Sequence, residues 1–145
     1  MNNSLKELDK ILENIINFKV PAEGWINFIK KSLGIPNLLL IRKLGVAPNY
    51  LIRAEESEQN KKIQLNSLEK VFDAMECELV YFPKPKNFPS FLALIEHKAL
   101  DKAKKNFDEE VSKMNIEIKD ESQKTLVLDM IKQKYLNESL KKLWE

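Results

Sequence analysis

The sequence predicts a mostly α-helical protein with one short strand, and three observations carry that expectation. Apolar residues recur every three to four positions along most of the chain, the period of an amphipathic helix. Only 3 of the 145 residues are Gly, which excludes long Gly-rich phosphate loops and many tight β-turns. One run alone, Cys77-Glu78-Leu79-Val80-Tyr81-Phe82, is rich in β-branched and aromatic residues. Pro83 and Pro85 close it as a strand.

Each helix is justified in turn. Leu5, Leu8, Ile11, Leu12, Ile15 and Ile16 form one apolar stripe from about Ser4 to Phe18. Ser4 with Glu7 three residues on has the form of a capping box. Pro21 opens a second helix with Trp25, Phe28, Ile29 and Leu33 on its apolar face, and Gly34 is its stop signal. Pro36 opens a short helix that runs through Leu44 and ends at Gly45. Pro48 opens the next, expected over about Pro48 to Glu56. A helix over about Asn66 to Met75 turns Leu68, Val71, Phe72 and Met75 inward. After the strand, helices are expected over about Pro89 to Phe107 and Ser122 to Leu143, with linkers at 83–89 and 113–120. The expected organisation is an N-terminal helix (1–20), a central domain with the strand (21–83) and a C-terminal helical extension (84–145).

Composition narrows the class. A hydrophobic fraction of 43% and a charged fraction of 32% belong to a soluble globular chain rather than a disordered one. The single cysteine, Cys77, rules out an intramolecular disulfide, and with one histidine, His97, it cannot make a Cys/His zinc site. No catalytic constellation, metal site or cofactor motif is found, so an enzyme is not expected. No apolar run nears the ~20 residues that span a bilayer, and the N-terminus lacks a secretory layout. A reduced cytoplasmic setting without membrane contact is expected.

Bland roles fit most of the conspicuous residues. Trp25 is expected in the core, His97 at the surface, Cys77 as a small buried apolar group and Asp108-Glu109-Glu110 as a solvated helix end. Leu143 and Trp144 are expected to dock on the body of the protein.

The net charge is only +2, but its local distribution matters more. Lys30 to Lys62 holds seven basic residues (Lys30, Lys31, Arg42, Lys43, Arg53, Lys61, Lys62) against Glu55, Glu56 and Glu58, an excess of +4. In the same stretch short helices are joined by very short turns. Leu44-Gly45-Val46-Ala47 joins two of them as a helix-turn-helix unit would. Gly45 supplies the left-handed backbone such a turn requires, and Leu40, Leu44, Val46 and Leu51 fill the crossing. The following helix then projects its first residues outward, where a major groove can accept them. The pattern alone fits equally a helical bundle with no DNA role.

Ile35 to Glu58 resembles the Xre/Cro-type helix-turn-helix of phage repressors. More narrowly, Pro21-Ala22-Glu23-Gly24-Trp25-Ile26, Leu33-Gly34-Ile35, Lys43-Leu44-Gly45-Val46, Glu55-Glu56-Ser57-Glu58, Cys77-Glu78-Leu79-Val80-Tyr81 and the closing Leu143-Trp144-Glu145 resemble the small bacterial family called mobile mystery protein A. The resemblance spans most of the chain and is strongest from Pro21 to Tyr81. It implies a phage-repressor-like domain and a regulator encoded in mobile elements beside a Fic-domain protein, with an antitoxin-like role toward that partner.

The resemblance also implies site residues. Asn37 falls where the repressor fold places a phosphate-binding Gln at a helix start. Pro48, Asn49, Tyr50 and Arg53 fall on the exposed start of the recognition helix. Asn49 suits adenine, Arg53 guanine or phosphate, and Tyr50 a sugar or a thymine methyl. Lys61, Lys62, Arg42 and Lys43, with Lys30 and Lys31, suit backbone neutralisation. Departures stand beside these matches. Pro36 replaces a Ser or Thr cap, Ile41 an Ala at the crossing, and Pro48 a base-reading Gln. Leu38, Leu39 and Ile52 place apolar groups at positions that are polar in the family.

Two functions follow: a DNA-binding transcriptional regulator that controls its own operon, or a protein-binding module for a Fic-domain partner with weakened or absent DNA binding. The lone strand 77–82 must find a partner for its edge, which predicts a homodimer pairing through that strand and presenting two reading helices to double-stranded DNA.

Overall fold

A computed structural model describes residues 3–145, and among them it forms α-helices and one short 3₁₀ turn, with no strand. The helices are α1 (Asn3–Ile15), α2 (Trp25–Leu33), α3 (Asn37–Leu44), α4 (Pro48–Gln59), α5 (Leu65–Ala74), α6 (Phe91–Lys105), α7 (Phe107–Met114) and α8 (Glu121–Asn137), followed by the 3₁₀ turn Leu140–Trp144. None is long and apolar enough to cross a membrane. The chain divides into a central unit, residues 18–82, and a flanking unit built from the chain through Asn17 together with Pro83–Glu145.

The central unit holds α2 to α5. Its core is Ile26, Leu40, Leu51, Ala54, Leu68, Val71, Phe72 and Met75, so every helix of the unit contributes at least one buried residue. Ile26, Leu40 and Val71 are fully buried, and each such side chain contributes about 1.5–3 kcal/mol through burial. Glycines set the helix ends. Gly34 and Gly45 close α2 and α3 in the left-handed conformation, and the Gly45 N–H donates back to the carbonyls of Ile41 and Arg42. Pro36 precedes α3 in extended backbone and Pro48 is the first residue of α4. Trp25 stacks on Phe18 with centroids 5.4 Å apart and meets Phe28 edge-on at 6.0 Å.

The segment 77–82, expected as a strand, has no ladder partner and forms none. Its β-propensity lacks a second run within this chain to pair with. Val80 is 80% exposed and Tyr81 69%.

The flanking unit centres on α6 and α8. Ile95, Ala99 and Ala103 of α6 face Val127, Ile131 and Tyr135 of α8, each set spaced by four residues. The two alanines let the helix axes approach. Asp9 of α1 accepts hydrogen bonds from the backbone N–H groups of Phe91 (2.7 Å) and Leu92 (3.1 Å), and Ser90 caps the same helix through Ala93. The expected helix to Phe107 stops at Asn106, and α7 restarts at once, so part of the expected linker at 113–120 is helical. The last expected helix ends at Asn137, and the 3₁₀ turn replaces its final residues.

Glu110 also departs from expectation. Asp108 and Glu109 are exposed, but Glu110 is buried. It accepts hydrogen bonds from Lys134 Nζ (2.9 Å) and the Tyr135 hydroxyl (3.1 Å). The Lys134 hydrogen bond holds the Glu110 carboxyl below its ordinary range, against the upward push of burial. Trp144 is 60% exposed while Leu143 beside it is buried, so only the leucine docks. Cys77 is half-buried rather than buried.

Candidate nucleic-acid interface

The local sequence dictates which face of α4 points out. Leu51 and Ala54 are buried, and Glu55 and Glu58 lie partly buried on the same side. The opposite side therefore carries Asn49, Ile52, Arg53 and Glu56, all exposed. This is a helical stripe of period three to four. Asn49 and Arg53 are one turn apart, about 6 Å along the axis.

Two of the three acids in this stretch are turned away from solvent, and each has a structural task. Glu58 reaches from the end of α4 to the start of α2. Its Oε2 accepts from the Trp25 N–H at 2.7 Å and its Oε1 from the Ile26 N–H at 2.9 Å. These are amide groups that no turn of α2 itself can satisfy. No side chain of Gly24 competes for the place. Glu55 forms an ion pair with Lys30 of α2, with both side chains largely buried. The two contacts tie α4 to α2 and fix the direction in which its outer face points.

The electrostatic result is a surface that keeps the excess of +4 counted in the sequence but carries it on fewer residues. Within 36–62, Arg42, Lys43, Arg53, Lys61 and Lys62 are exposed and make no ion pair, while Glu56 is the one exposed acid among the described residues. Lys30 and Lys31, also expected to meet phosphate, are committed elsewhere. Lys30 is bound to Glu55. Lys31 is bound to Glu23 at 2.7 Å, which raises the lysine above its ordinary value of 10.5.

The other expected site residues fall into four groups. Asn37, Pro48, Asn49 and Arg53 are exposed. Asn37 is the first residue of α3, where no side chain caps the helix. Pro48 stands first in α4, also uncapped by a side chain. Tyr50 is half-buried and packs against the central core, so it anchors the start of α4 as much as it faces outward. Lys43 lies beside Lys70 and Asp73 of α5 in a shallow cleft, on a different neighbour from α4. Lys61 and Lys62 follow α4 directly, Lys61 in the left-handed conformation at φ 58°. Lys61 stands eight residues beyond Arg53, about 12 Å if the helical rise held.

The apolar departures are exposed as well: Leu38 57%, Leu39 44% and Ile52 55%. No part of the central unit covers them. The contribution of Glu58 was invisible to sequence reasoning, because its partners lie more than thirty residues away. Among the described residues no group of His, Cys, Asp or Glu has the arrangement of a metal site. Compared with known protein families, with curated proteins and with solved structures, the chain gives no match.

Proposed function

We propose that this chain is a DNA-binding transcriptional regulator whose α3 and α4 act as an Xre/Cro-type helix-turn-helix, as the resemblance of Ile35 to Glu58 implies. The observation that carries the proposal is the outer face of α4. Asn49 and Arg53 are presented to solvent on a helix locked from behind by Glu55 and Glu58. Such a helix enters the major groove with little rearrangement. Arg53 and Asn49 then meet base edges, while the Asn37 amide donates to a phosphate and Arg42, Lys61 and Lys62 neutralise the backbone. The chemistry requires no cofactor, and the regulator works in the cytoplasm.

Half-site reading calls for two copies. Val80 and Tyr81, exposed in segment 77–82, supply an apolar contact for a homodimer. A monomer in light scattering at micromolar concentration overturns that part.

The exposed Leu38, Leu39 and Ile52 favour a second reading, an antitoxin-like module that binds a Fic-domain protein as mobile mystery protein A members imply. The deciding experiment is a gel shift with the DNA upstream of the chain's own gene, at two stated salt concentrations. A shift abolished by Arg53→Ala supports the regulator. No shift, with co-purification of the neighbouring gene product lost in Leu38→Ser/Ile52→Ser, supports the module.

A further inference from the structure

The flanking unit carries a basic cleft that none of the chemistry above uses. It lies between α6 and the 3₁₀ turn, has a volume of about 460 Å³, and is lined by Lys98, Asp101, Lys102, Lys105, Asn106 and Trp144 among others. Lys98, Lys102 and Lys105 recur at spacings of four and three, so they share one face of α6. Lys141 and Lys142 are exposed on the turn itself. The acids nearby are Asp101, which meets Lys105 at 3.4 Å, and Glu145.

The turn is held in place. Leu143 is buried, and the Lys102 Nζ donates to the Lys142 carbonyl at 2.7 Å. The indole of Trp144 is thereby fixed at the rim of the cleft, 60% exposed. Lys98 Nζ lies 4.2 Å from its ring centroid, a cation–π contact that sets the plane of the ring. An exposed aromatic held beside a row of lysines is the arrangement that stacks an unpaired base while cations follow its phosphates.

We propose that this cleft binds single-stranded nucleic acid, with Trp144 stacking on a base and Lys98 and Lys105 facing the phosphates. Duplex DNA keeps its bases stacked inside and offers the indole no base face. An anionic membrane is also a poorer fit. The turn buries Leu143 and half-buries Leu140, so Trp144 is its one exposed large apolar residue and no apolar face remains to insert. The proposal is independent of α4, and the two fail separately.

The test titrates the full chain into a labelled mixed-sequence DNA strand of about 12 nucleotides at about 50 mM salt, reading anisotropy and tryptophan quenching. The expected result is binding with quenching, a log–log salt slope of about −0.7 per lysine engaged, and a duplex affinity that Trp144→Ala leaves unchanged. Trp144→Ala lowers affinity about tenfold, and Trp144→Phe retains most of it. Lys98→Ala/Lys105→Ala lowers both affinity and slope. Circular dichroism melting checks that the variants stay folded. The proposal is overturned by no binding at this salt, by binding indifferent to Trp144 and the two lysines, by a duplex affinity that falls as much as the strand affinity in Trp144→Ala, or by capture on phosphatidylserine vesicles without capture of the strand.

Discussion

Glu58 closes the start of α2 through the Trp25 amide: the Trp25 N–H donates to Glu58 Oε2 at 2.7 Å, and the next amide, Ile26, donates to the other oxygen. One carboxylate thus satisfies two orphan donors and sits where the α2 dipole is positive. Gly24 completes the arrangement. Its φ is +84°, and a Cβ there would lie 2.8 Å from Glu58 Oε1. Glu58→Ala is expected to destabilise the chain by about 1–3 kcal/mol, since both bonds are charge-assisted. Gly24→Ala costs a similar amount through backbone strain and displacement of the carboxylate. The double variant loses less than the two singles together, because both damage the same interaction. Urea unfolding of the four proteins measures this, and strict additivity would refute the coupling.

The Lys30–Glu55 pair makes a different case, because both side chains are largely withdrawn from water, at 10% and 14% exposure. Removing one partner leaves the other charge uncompensated. Lys30→Met alone is expected to cost about 2–4 kcal/mol, somewhat below the figure for a fully buried pair. Lys30→Met with Glu55→Leu recovers most of the loss, since two apolar groups of similar size carry no desolvation cost. Thermal unfolding distinguishes the outcomes. If the double variant is as unstable as the single, the pair holds α2 and α4 by shape rather than by charge.

How much of this was legible in the sequence depends on the range of the signal. The end of α2, the bounds of α3 and the start of α4 were open to reading because Gly34, Gly45, Pro36 and Pro48 mark them, and glycine and proline act on their own backbone, whereas Pro21 does not open α2, which starts four residues on at Trp25. The two remote caps, Glu58 on α2 and Asp9 on α6, were not. A carboxylate among many carries no mark of the amide it will meet 33 or 82 residues away. The break at Asn106 was missed for a related reason: no Gly or Pro interrupts the periodicity there. The strand at 77–82 was read from propensity, which describes a preference for a pleated surface that the rest of this chain does not provide. On α4, periodicity was enough to place Asn49 and Arg53 on one face, but the inward commitment of Glu55 and Glu58 needed coordinates.

Stability is expected to depend on pH through Glu110 and Tyr135. The hydrogen bond from Lys134 is the main reason that Glu110 lies below its ordinary 4.5. A carboxyl lowered on folding contributes stability that is present above about pH 4.5 and is lost as pH falls through the lowered folded value. Tyr135 runs the other way. Burial raises its hydroxyl above 10.0, so its contribution is present below that pH and is lost as pH rises through the raised value. Glu110→Gln is expected to flatten the acid limb of the stability curve. It also brings one phenolate in at lower pH by ultraviolet titration, because the Glu110 charge helps to raise Tyr135. An acid limb identical to that of the wild type would remove Glu110 from the account.

If α4 reads DNA as proposed, base reading and phosphate neutralisation respond differently to mutation. Asn49→Ala is expected to cost about 1–3 kcal/mol on the specific site and little on random duplex, because hydrogen bonding to a base edge carries sequence information. Lys62→Ala weakens both about equally and reduces the salt slope by about 0.9, as expected when one fewer phosphate is neutralised. Glu56 provides the sharpest check. It is exposed on the same stripe as Asn49 and Arg53, so it must approach the phosphates if this face enters a groove. Glu56→Gln is then expected to tighten binding to every duplex and to steepen the salt dependence. Unchanged affinity in Glu56→Gln, beside a loss in Lys62→Ala, would mean that DNA lies along the end of α4 without engaging its outer face.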